Sequence, residues 1–402
     1  MSVNRRTFLA AGLAGSALAA TVGQAQEPPR RLTIADVPTP ALLVDLAAFE
    51  ANLRTMADHC RAAGCGFRPH AKTHKCPEIA RRQVAAGALG VCVATVPEAE
   101  AMVAAGVRGV LLTSPIVERS KLVRMVQLAR QQGAVLLAVG HERQVELLAE
   151  AARTAKVVVD VLVDVDVGDR RTGVLPGQPA LRLAQQIAKE KSLRLRGVQA
   201  YAGHASHAAG FENRAKVSRT AMSQAIETRT LLAKAGLDVP MLSGGSTGTY
   251  NIDSALRGVT ELQVGSYVFM DVEYRRIGGR DAKVYTDFRP SLTVLTTVVS
   301  ATHLDRVTVD AGTKAFATDV PDRPEAKGWE GLAYRRAGDE FGTITAAKGA
   351  KLPRLGNRLE FLVPHCDPTV NLYDRIYAVR GERVEAIWPI AARREAPPRN
   401  NP

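Results

Sequence analysis

The basic stretch from Arg68 to Lys75 contains the residue of this chain with the most specific chemistry. It reads Arg-Pro-His-Ala-Lys-Thr-His-Lys, follows an apolar segment ending at Phe67 and precedes a helix-like run that Pro77 opens. Lys72 is therefore predicted to end a short strand where the chain turns into a helix. A lysine there is either a solvated surface residue or an amine that forms a Schiff base with an aldehyde cofactor. Residues elsewhere in the chain favour the second interpretation.

A loop rich in glycine and hydroxyl groups, Ser243–Thr249, could bind a phosphate group. Glycines let backbone N–H groups approach a phosphate closely, and the serine and threonine hydroxyls add donors. The alternative is a plain flexible turn. A phosphate site combined with an aldehyde-binding lysine suggests pyridoxal 5'-phosphate. Arg171 could then face the pyridine nitrogen of this cofactor, and Tyr201 could stack on its ring.

His365 and Asp367 form a second candidate site, in the sequence Pro-His-Cys-Asp-Pro-Thr-Val-Asn. The pattern predicts an extended segment, on which both side chains point the same way. An imidazole with a carboxylate suits a divalent cation, Mn2+ or Mg2+ with Zn2+ as the alternative, and leaves positions open for water and substrate. A turn with a capping aspartate would explain the same residues.

The four aspartates between Asp160 and Asp169 resemble a metal cluster, but they are interpreted as polar barrel or interface residues.

Eight strand-like runs alternate with helix-like runs and should position these residues. They are rich in valine and leucine, as strands buried on both faces are. The runs are Phe67–Lys72, Gly90–Thr95, Gly109–Thr113, Ala134–Val139, Val157–Val165, Leu195–Tyr201, Met241–Gly244 and Glu261–Val264. The fold class is therefore predicted to be α/β, with a (β/α)8 barrel over residues 38–280. An open doubly wound sheet is the alternative, but no GxGxxG follows the first strand.

Beyond residue 284 the pattern changes to runs that alternate or are apolar without helical periodicity. These runs predict a second, all-β domain over residues 284–392, which would carry His365 and Asp367. An earlier strand, Leu42–Asp45, precedes the barrel count and could join the barrel. Residues 393–402 are predicted to be a disordered tail.

Active sites of such barrels lie at the C-terminal ends of the strands. Lys72 ends the first predicted strand, Arg171 follows the fifth, and the glycine-rich loop follows the seventh. The segment Tyr201–His207 follows the sixth strand, and Gly265–Tyr267 follows the eighth. The candidate residues therefore converge on one face of the barrel, while His70 and His74 are expected to orient the loop around Lys72.

The net charge of +13 over 402 residues does not indicate a nucleic-acid-binding protein, because the basic residues are scattered and no binding motif accompanies them. At the N-terminus, Arg5 and Arg6 precede a short apolar run from Ala10 to Val22 and small residues at 23–25. This pattern predicts a twin-arginine export signal over residues 1–25 and a periplasmic location. An ordinary secretory signal is the alternative, and the run is too short for a comfortable membrane span.

Four motifs, taken together and in order, resemble the D-threonine aldolase / D-serine dehydratase family. They are the lysine stretch, the Arg171-Thr172-Gly173 turn, the Ser-Gly-Gly-Ser-Thr-Gly loop and the His-Cys-Asp-Pro-Thr-Val-Asn sequence. The family consists of fold-type III pyridoxal phosphate enzymes with an alanine-racemase-like barrel and a β domain. The resemblance covers about Pro38 to Ile390.

The resemblance implies roles for individual residues and a homodimer. Lys72 would hold the cofactor aldehyde, Arg171 would lie by the pyridine nitrogen and Tyr201 would pack on the ring. His207 would be the catalytic base, with His204 as the alternative, and His365 with Asp367 would bind the metal. The phosphate would be held by Ser246, Thr247, Gly248, Gly265 and Ser266, and Tyr267 would be a further cofactor contact.

The reaction that the resemblance implies is cleavage of a D-β-hydroxy-α-amino acid to glycine and an aldehyde. The alternative is a D-serine or D-3-hydroxyaspartate dehydratase, in which the second metal ligand resembles a cysteine two positions after the histidine. That position here is Asp367, so we expect the aldolase. An amino-acid racemase and a non-catalytic cofactor-binding protein are more distant alternatives.

Overall fold

The computed structural model describes residues 32–131 and 133–393. The predicted export signal and residues 394–402 of the predicted tail lie outside these ranges. Arg393 lies inside them and pairs with Asp374. Within the described residues, no helix combines the length and apolar character that crossing a membrane requires.

A (β/α)8 barrel forms the larger part of the molecule and follows a first strand, β1 (Ala41–Asp45). Its eight strands are parallel and pair in the order β2-β9-β8-β7-β6-β5-β4-β3. A parallel bridge between His70 and Cys92 brings the two ends of this sheet together. The strands are β2 (Gly66–Phe67), β3 (Cys92–Val93), β4 (Val110–Leu112), β5 (Val135–Val139), β6 (Val159–Asp164), β7 (Leu193–Ala200), β8 (Met241–Gly244) and β9 (Glu261–Leu262). The predicted strand count and fold class are confirmed, although several strands are shorter than predicted.

Most of the helices lie where the sequence pattern predicts helix-like runs, whereas the short ones at Gly203–Ser206, Val272–Arg276 and Cys366–Val370 were not predicted. The ends of the first helix have local causes. Asp45 caps the first helix by accepting hydrogen bonds from the N–H groups of Ala47 and Ala48. Gly64 ends that helix in the left-handed conformation, with φ of 63°. The helices are α1 (Leu46–Ala63), α2 (Pro77–Ala85), α3 (Val96–Ala104), α4 (Arg119–Leu128), α5 (Glu142–Ala155), α6 (Gln178–Lys189), α7 (Gly203–Ser206), α8 (Phe211–Lys234), α9 (Tyr250–Asp253), α10 (Val272–Arg276) and α11 (Cys366–Val370).

A second sheet of nine strands contains the C-terminal part of the chain, as predicted. Its main path is β13-β14-β11-β10-β1-β16-β17, and β15 pairs with β10 and β12. The C-terminal strands are β10 (Leu292–Ser300), β11 (Arg306–Val309), β12 (Glu325–Ala326), β13 (Leu332–Arg336), β14 (Gly342–Ala346), β15 (Arg358–Leu362), β16 (Arg375–Arg380) and β17 (Arg383–Pro389). The sequence pattern did not reveal β12, β13 and β14. Strand β12 has two residues, β13 has one buried residue, and β14 has only one large apolar residue, Ile344.

The first strand, β1, does not join the barrel, contrary to the domain boundary predicted at residue 38. It pairs antiparallel with β10 and parallel with β16, so the second domain is built from both ends of the chain. Strand propensity alone cannot select a partner sheet, because the partners lie about 250 to 330 residues away and only tertiary packing decides between them. The chain then enters the barrel through α1, whose Phe49 packs against Trp388 of β17.

All five cysteines are buried, as the sequence predicted for most of them. Burial raises the pKa of the Cys60 and Cys76 thiols to about 12. They therefore behave as small apolar residues of the core.

Candidate active site

A cavity of about 310 Å3 opens at the C-terminal end of the barrel strands. It contains ten of the residues predicted from the sequence: Lys72, Arg171, Tyr201, His207, Ser246, Thr247, Gly265, Ser266, His365 and Asp367. The first eight come from the barrel, and the last two come from the C-terminal domain. The two domains therefore build one site together.

Lys72 lies in a short 3-10 helix, Ala71–Thr73, rather than at the end of a strand. Strand β2 ends at Phe67, and the backbone then runs on to the bridge at His70. The Nδ1 atom of His70 accepts a hydrogen bond from the Lys72 N–H at 3.3 Å, and Nε2 lies 3.1 Å from Thr113 Oγ1. Burial holds the pKa of His70 well below its usual range, so the ring is a neutral orienting group, as predicted.

His74 fixes the other end of the same loop. Its Nδ1 accepts a hydrogen bond from the Cys76 N–H at 3.0 Å, and its Nε2 lies 3.2 Å from Gln83 Oε1. The Gln83 amide in turn donates to the Tyr267 hydroxyl at 3.3 Å. Burial lowers the pKa of His74 to about 4, so this chain of hydrogen bonds is formed by neutral groups. It holds the Lys72 loop against the core.

The Lys72 amine has one carboxylate partner in the cavity. Its Nζ lies 3.4 Å from Asp367 Oδ2, and this carboxylate raises the pKa of Lys72 against the effect of burial. Burial raises the pKa of Asp367, but the Lys72 ammonium and His365 outweigh it and hold that pKa below its ordinary value. The pair therefore consists of an ammonium and a carboxylate.

The His365–Asp367 segment is not extended, which corrects the sequence prediction. His365 is the N-cap of α11, and Asp367 lies in the first turn of that helix. The helical turn still directs both side chains into the cavity. The pattern His-Cys-Asp-Pro misled because a proline after the capping residue also suits the first turn of a helix.

Asp319 belongs to this site, but the sequence analysis did not predict it. Its Oδ2 lies 2.7 Å from His365 Nδ1, which leaves Nε2 of the imidazole available to a ligand. Burial lowers the pKa of His365, but the surrounding carboxylates, Asp367 foremost, outweigh it and raise that pKa. In the described part of the chain no group of three or more histidine, cysteine or acidic side chains is arranged as a metal site. A cation here would have two protein ligands.

Arg171 and Tyr201 lie together on one wall of the cavity. The guanidinium of Arg171 is 5.4 Å from the centroid of the Tyr201 ring, and its Nε is 3.5 Å from Asp169 Oδ2. The Arg171 side chain is 62% exposed, so its donors can reach a ligand. Their positions agree with the predicted contacts to the pyridine ring of the cofactor.

The loop after β8 forms another part of the cavity wall, with Ser246 and Thr247 lining the cavity. Thr247 Oγ1 accepts hydrogen bonds from the N–H groups of Gly265 and Tyr267 at 3.3 and 3.0 Å. These contacts join the loop after β8 to the loop after β9. Serine and threonine hydroxyls and the Gly265–Ser266 backbone are therefore gathered in one place, as a phosphate site requires.

Two residues predicted to contact the cofactor, Gly248 and Tyr267, do not line the cavity. A Cβ atom on Gly248 would lie 2.0 Å from the Ser206 carbonyl oxygen, so this glycine permits close contact between two backbone segments. The Tyr267 side chain is fully buried in the core, and only its backbone N–H reaches the loop. A motif gives the order of residues but not the direction in which each side chain points.

The two candidate histidines differ in position. His207 lines the cavity, where burial lowers its pKa to about 4 and its ring packs on Tyr274 at 4.3 Å. His204 lies outside the cavity lining, with its Nδ1 at 3.8 Å from Asp169 Oδ1. The structure therefore places His207, rather than His204, where a substrate could meet it.

The aspartates after β6 line the cavity but are held by structural hydrogen bonds. Asp164 accepts from the Thr172 hydroxyl and the Gln199 amide at 2.9 Å each, and burial raises its pKa. Asp166 accepts from the backbone N–H groups of Gly168 and Arg170. They fix the turn that carries Arg171, which agrees with their interpretation as polar barrel residues.

Comparison with known families assigns both halves of the chain. Residues 44–273 match the family model described as "Alanine racemase, N-terminal domain". Residues 291–379 match the model described as "Putative serine dehydratase domain". The first match covers the barrel and its cavity wall, and the second covers most of the C-terminal sheet.

Curated relatives extend along nearly the whole chain. The chain is 41% identical over 360 residues to a D-threonine aldolase from Arthrobacter sp, covering 90% of this chain and 94% of the relative. It is 33% identical over 361 residues to a 3-hydroxy-D-aspartate aldolase from Paracoccus denitrificans, covering 89% and 92%.

Solved structures share the same architecture. The D-threonine aldolase from Filomicrobium marinum superposes with a TM-score of 0.87 at 38% identity, over 92% of this chain and 99% of that chain. A D-threo-3-hydroxyaspartate dehydratase with a cysteine-to-alanine substitution, in a form described as metal-free, gives a TM-score of 0.80 at 27% identity. The latter match covers 89% of this chain and 99% of the other.

Proposed function

Because this chain belongs to the family of fold-type III pyridoxal phosphate lyases that includes D-threonine aldolase, we propose that it cleaves D-β-hydroxy-α-amino acids such as D-threonine to glycine and an aldehyde. The observation that carries the proposal is the position of Asp367, whose carboxylate lies 3.4 Å from the Lys72 amine. His365 and Asp367 thus lie beside the amine that would hold the cofactor, and they could meet the β-hydroxyl of a substrate that replaces Lys72 on the cofactor aldehyde. The similarity to two aldolases supports the same reaction.

The residues of the cavity fit pyridoxal phosphate. Lys72 would hold the aldehyde, and Ser246, Thr247 and Ser266 would bind the phosphate. Arg171, a permanent cation, would lie by the pyridine nitrogen and keep it largely unprotonated. When bound, the cofactor accepts the electron pair released as the Cα–Cβ bond breaks.

His207 is suited to take the proton of the substrate β-hydroxyl. Burial lowers its pKa to about 4, which keeps the imidazole unprotonated at neutral and alkaline pH but weakens it as a base. The step therefore relies on a lowered pKa of the hydroxyl group as well. The ring is fixed against Tyr274, so it needs little reorganisation when a substrate binds. Removal of the hydroxyl proton makes the oxygen electron-rich, so that it can form the aldehyde carbonyl as the Cα–Cβ bond breaks.

We further propose that His365 and Asp367 bind a divalent cation. The hydrogen bond from His365 Nδ1 to Asp319 leaves Nε2 free and orients the ring, as carboxylates commonly do for metal-binding histidines. An imidazole and a carboxylate favour Mn2+ or Mg2+, with Zn2+ as the alternative, and two protein ligands leave room for water and substrate. The cation would lower the pKa of the β-hydroxyl.

Aldol cleavage is proposed over dehydration because Asp367, a hard oxygen ligand, occupies the second position after His365. The test is product analysis of the purified holoenzyme with D-threonine and D-serine. Glycine and acetaldehyde should form from D-threonine, with little pyruvate from D-serine. 2-Oxobutyrate and ammonia as the main products would overturn the aldolase assignment in favour of the dehydratase. The Asp367→Cys variant should lose cleavage even where it retains metal.

The assembly and location of the protein are proposed on other grounds. We propose a homodimer because the family resemblance implies one. We propose export to the periplasm because Arg5 and Arg6 precede a mildly apolar run, a pattern of the pathway that carries folded proteins. An enzyme that must acquire its cofactor before export suits that pathway.

A further inference from the structure

Glu273, a half-buried acidic residue with one enclosed oxygen, faces His207, the proposed base. Its Oε2 lies 3.7 Å from His207 Nε2. Both atoms are enclosed, and neither has a hydrogen-bond partner in the described structure. An enclosed polar atom without a partner costs free energy, so two that face each other suggest a contact that tightens during the reaction.

Backbone contacts and a capping side chain hold Glu273 in place. Glu273 lies in α10, where its N–H donates to the Pro364 carbonyl at 3.2 Å. Asp271 caps this helix by accepting from the Tyr274 N–H, and its second oxygen accepts from the Cys366 N–H, each at 2.9 Å. Helix α10 is thus joined to the segment that carries His365 and Asp367.

Arg214 joins the His207 segment to the other end of α10. Its fully buried guanidinium donates to the Ala208 and Ile277 carbonyls at 3.0 Å each. It also donates to Gly278 at 2.8 Å and to Gly248 in the loop after β8 at 2.7 Å. The planar guanidinium of Arg214 therefore fixes the distance between the residue after His207 and the residues after α10.

We propose that Glu273 is the positioning residue for His207, and that its carboxylate accepts the Nε2 proton of the imidazole. This contact leaves Nδ1 with the free electron pair. Nε2 is enclosed, whereas the His207 side chain as a whole is 34% exposed and lines the cavity. The separation of 3.7 Å is long for a hydrogen bond, but catalytic hydrogen bonds often tighten only when a substrate is bound.

The proposal rests on the proposed function, because that function identifies the proton that Nδ1 receives. That proton comes from the substrate β-hydroxyl, and the imidazole becomes positively charged as it accepts it. The Glu273 carboxylate then stabilises the imidazolium by accepting from its Nε2–H. No proton needs to pass to Glu273 itself, so the arrangement balances without a further reactant.

The contact can be tested without measuring activity. Holoenzyme labelled with 15N-histidine should show an exchange-protected His207 Nε2–H proton far downfield of the amide region, identified by its loss in His207→Gln. Glu273→Met removes the acceptor at similar side-chain length and should abolish this signal. Glu325→Gln removes a carboxylate that pairs with Arg275 of the same helix and should leave the signal unchanged. A signal that persists in Glu273→Met would overturn the proposal.

Kinetics then separate positioning from a merely structural role. Glu273→Met should lower kcat for D-threonine cleavage by roughly 100-fold, with KM, cofactor content and thermal midpoint little changed. Glu273→Gln keeps an acceptor oxygen and should recover part of the loss. Parallel losses of cofactor and stability would show a structural role and overturn the proposal. If wild-type protein cleaves no D-β-hydroxy amino acid, the proposed function fails, and the downfield signal still decides the contact.

Discussion

At the scale of single residues, Lys72 is expected to exchange its partner when pyridoxal phosphate binds. Its ammonium pairs with Asp367, the residue proposed to bind the cation. Once the amine is joined to an aldehyde, that pairing is weakened. Asp367 is then more available to a metal ion, so the proposed cofactor and metal sites should be coupled through this one ion pair.

Cofactor attachment is predicted to require Lys72. Borohydride reduction of the holoenzyme followed by peptide mapping should place the pyridoxyl group on Lys72, and Lys72→Ala should carry none. Lys75→Arg is the matched control, because the Lys75 amine donates to Asn371 Oδ1 at 2.7 Å and is engaged elsewhere. A label on Lys75 or Lys314 in the wild-type protein would contradict the assignment.

The neutral state of His74 predicts a loss of stability in acid. Its pKa is about 4 in the folded protein and about 6.5 in the unfolded chain. The unfolded chain therefore takes up a proton first as the pH falls, and stability that is complete above pH 6.5 is lost between pH 6.5 and 4. The contribution is at most about 3 kcal/mol.

The measurement for His74 is the urea midpoint at several pH values across this range. His74→Asn, whose side-chain oxygen can still accept from the Cys76 N–H, should reduce the acid-induced fall of the midpoint. His141→Asn is the control, since the Nδ1 of the exposed His141 accepts from the Arg143 N–H at 3.0 Å in the same local arrangement. Equal pH profiles for wild type and His74→Asn would refute the prediction.

At the scale of secondary-structure elements, the site depends on how separate loops are joined. The loops after β7, β8 and β9 carry His207, the phosphate-binding residues and α10, and no regular sheet hydrogen bonds connect those loops to one another. Arg214 supplies that connection through four carbonyl oxygens. Because this cation is fully buried among carbonyl oxygens and is not paired with a carboxylate, its role is to hold the loops in position.

Replacing Arg214 should destabilise the fold and loosen the site. Arg214→Met removes the donor of the Ala208, Gly248 and Gly278 carbonyls, while Ile277 still accepts from the Gly210 N–H at 2.8 Å. This loss should lower the free energy of unfolding by at least about 3 kcal/mol. The measurements are the urea midpoint and the cofactor content. Arg229→Met is the control, because Arg229 donates to the carbonyls of Val239, Pro240 and Gly258 in a partly exposed setting away from the cavity. A larger loss in Arg229→Met than in Arg214→Met would contradict the prediction.

At the scale of the whole molecule, one active site is shared between two domains. The barrel supplies the residues predicted to hold pyridoxal phosphate, and the C-terminal sheet supplies His365 and Asp367. Helix α10 and Asp271 hold the two together. The hydrophobic core is continuous across both domains, so cofactor and metal residues keep a fixed relation only in the fully folded chain.

Export is predicted to require the first arginine pair. Replacing Arg5 and Arg6 with lysine should leave the protein in the cytoplasm, because the twin-arginine pathway reads that pair. The matched control is the same change at Arg30 and Arg31, a second arginine pair beyond the small residues, which should not alter export. Fractionation of the cells measures both, and undiminished periplasmic protein in the Arg5/Arg6 variant would argue against the pathway.

The sequence by itself determined the fold class and ten of the residues that meet in the cavity. Eight apolar strands in alternation with helices leave few arrangements other than a barrel, and a barrel brings the ends of its strands to one face. Lys72, Arg171 and His207 could be placed on that face from strand order alone. Strand periodicity depends only on neighbouring residues, so it can be recognised in the sequence without the tertiary structure.

Only the tertiary structure decided the contacts that connect distant parts of the chain. The partner sheet of β1, the direction of Tyr267, and the approach of Asp319 to His365 and of Glu273 to His207 depend on segments tens to hundreds of residues apart. Their packing is chosen by the free energy of the whole core, not by local pattern. The sequence thus named most of the groups in the site, and the folded chain determined which of them touch.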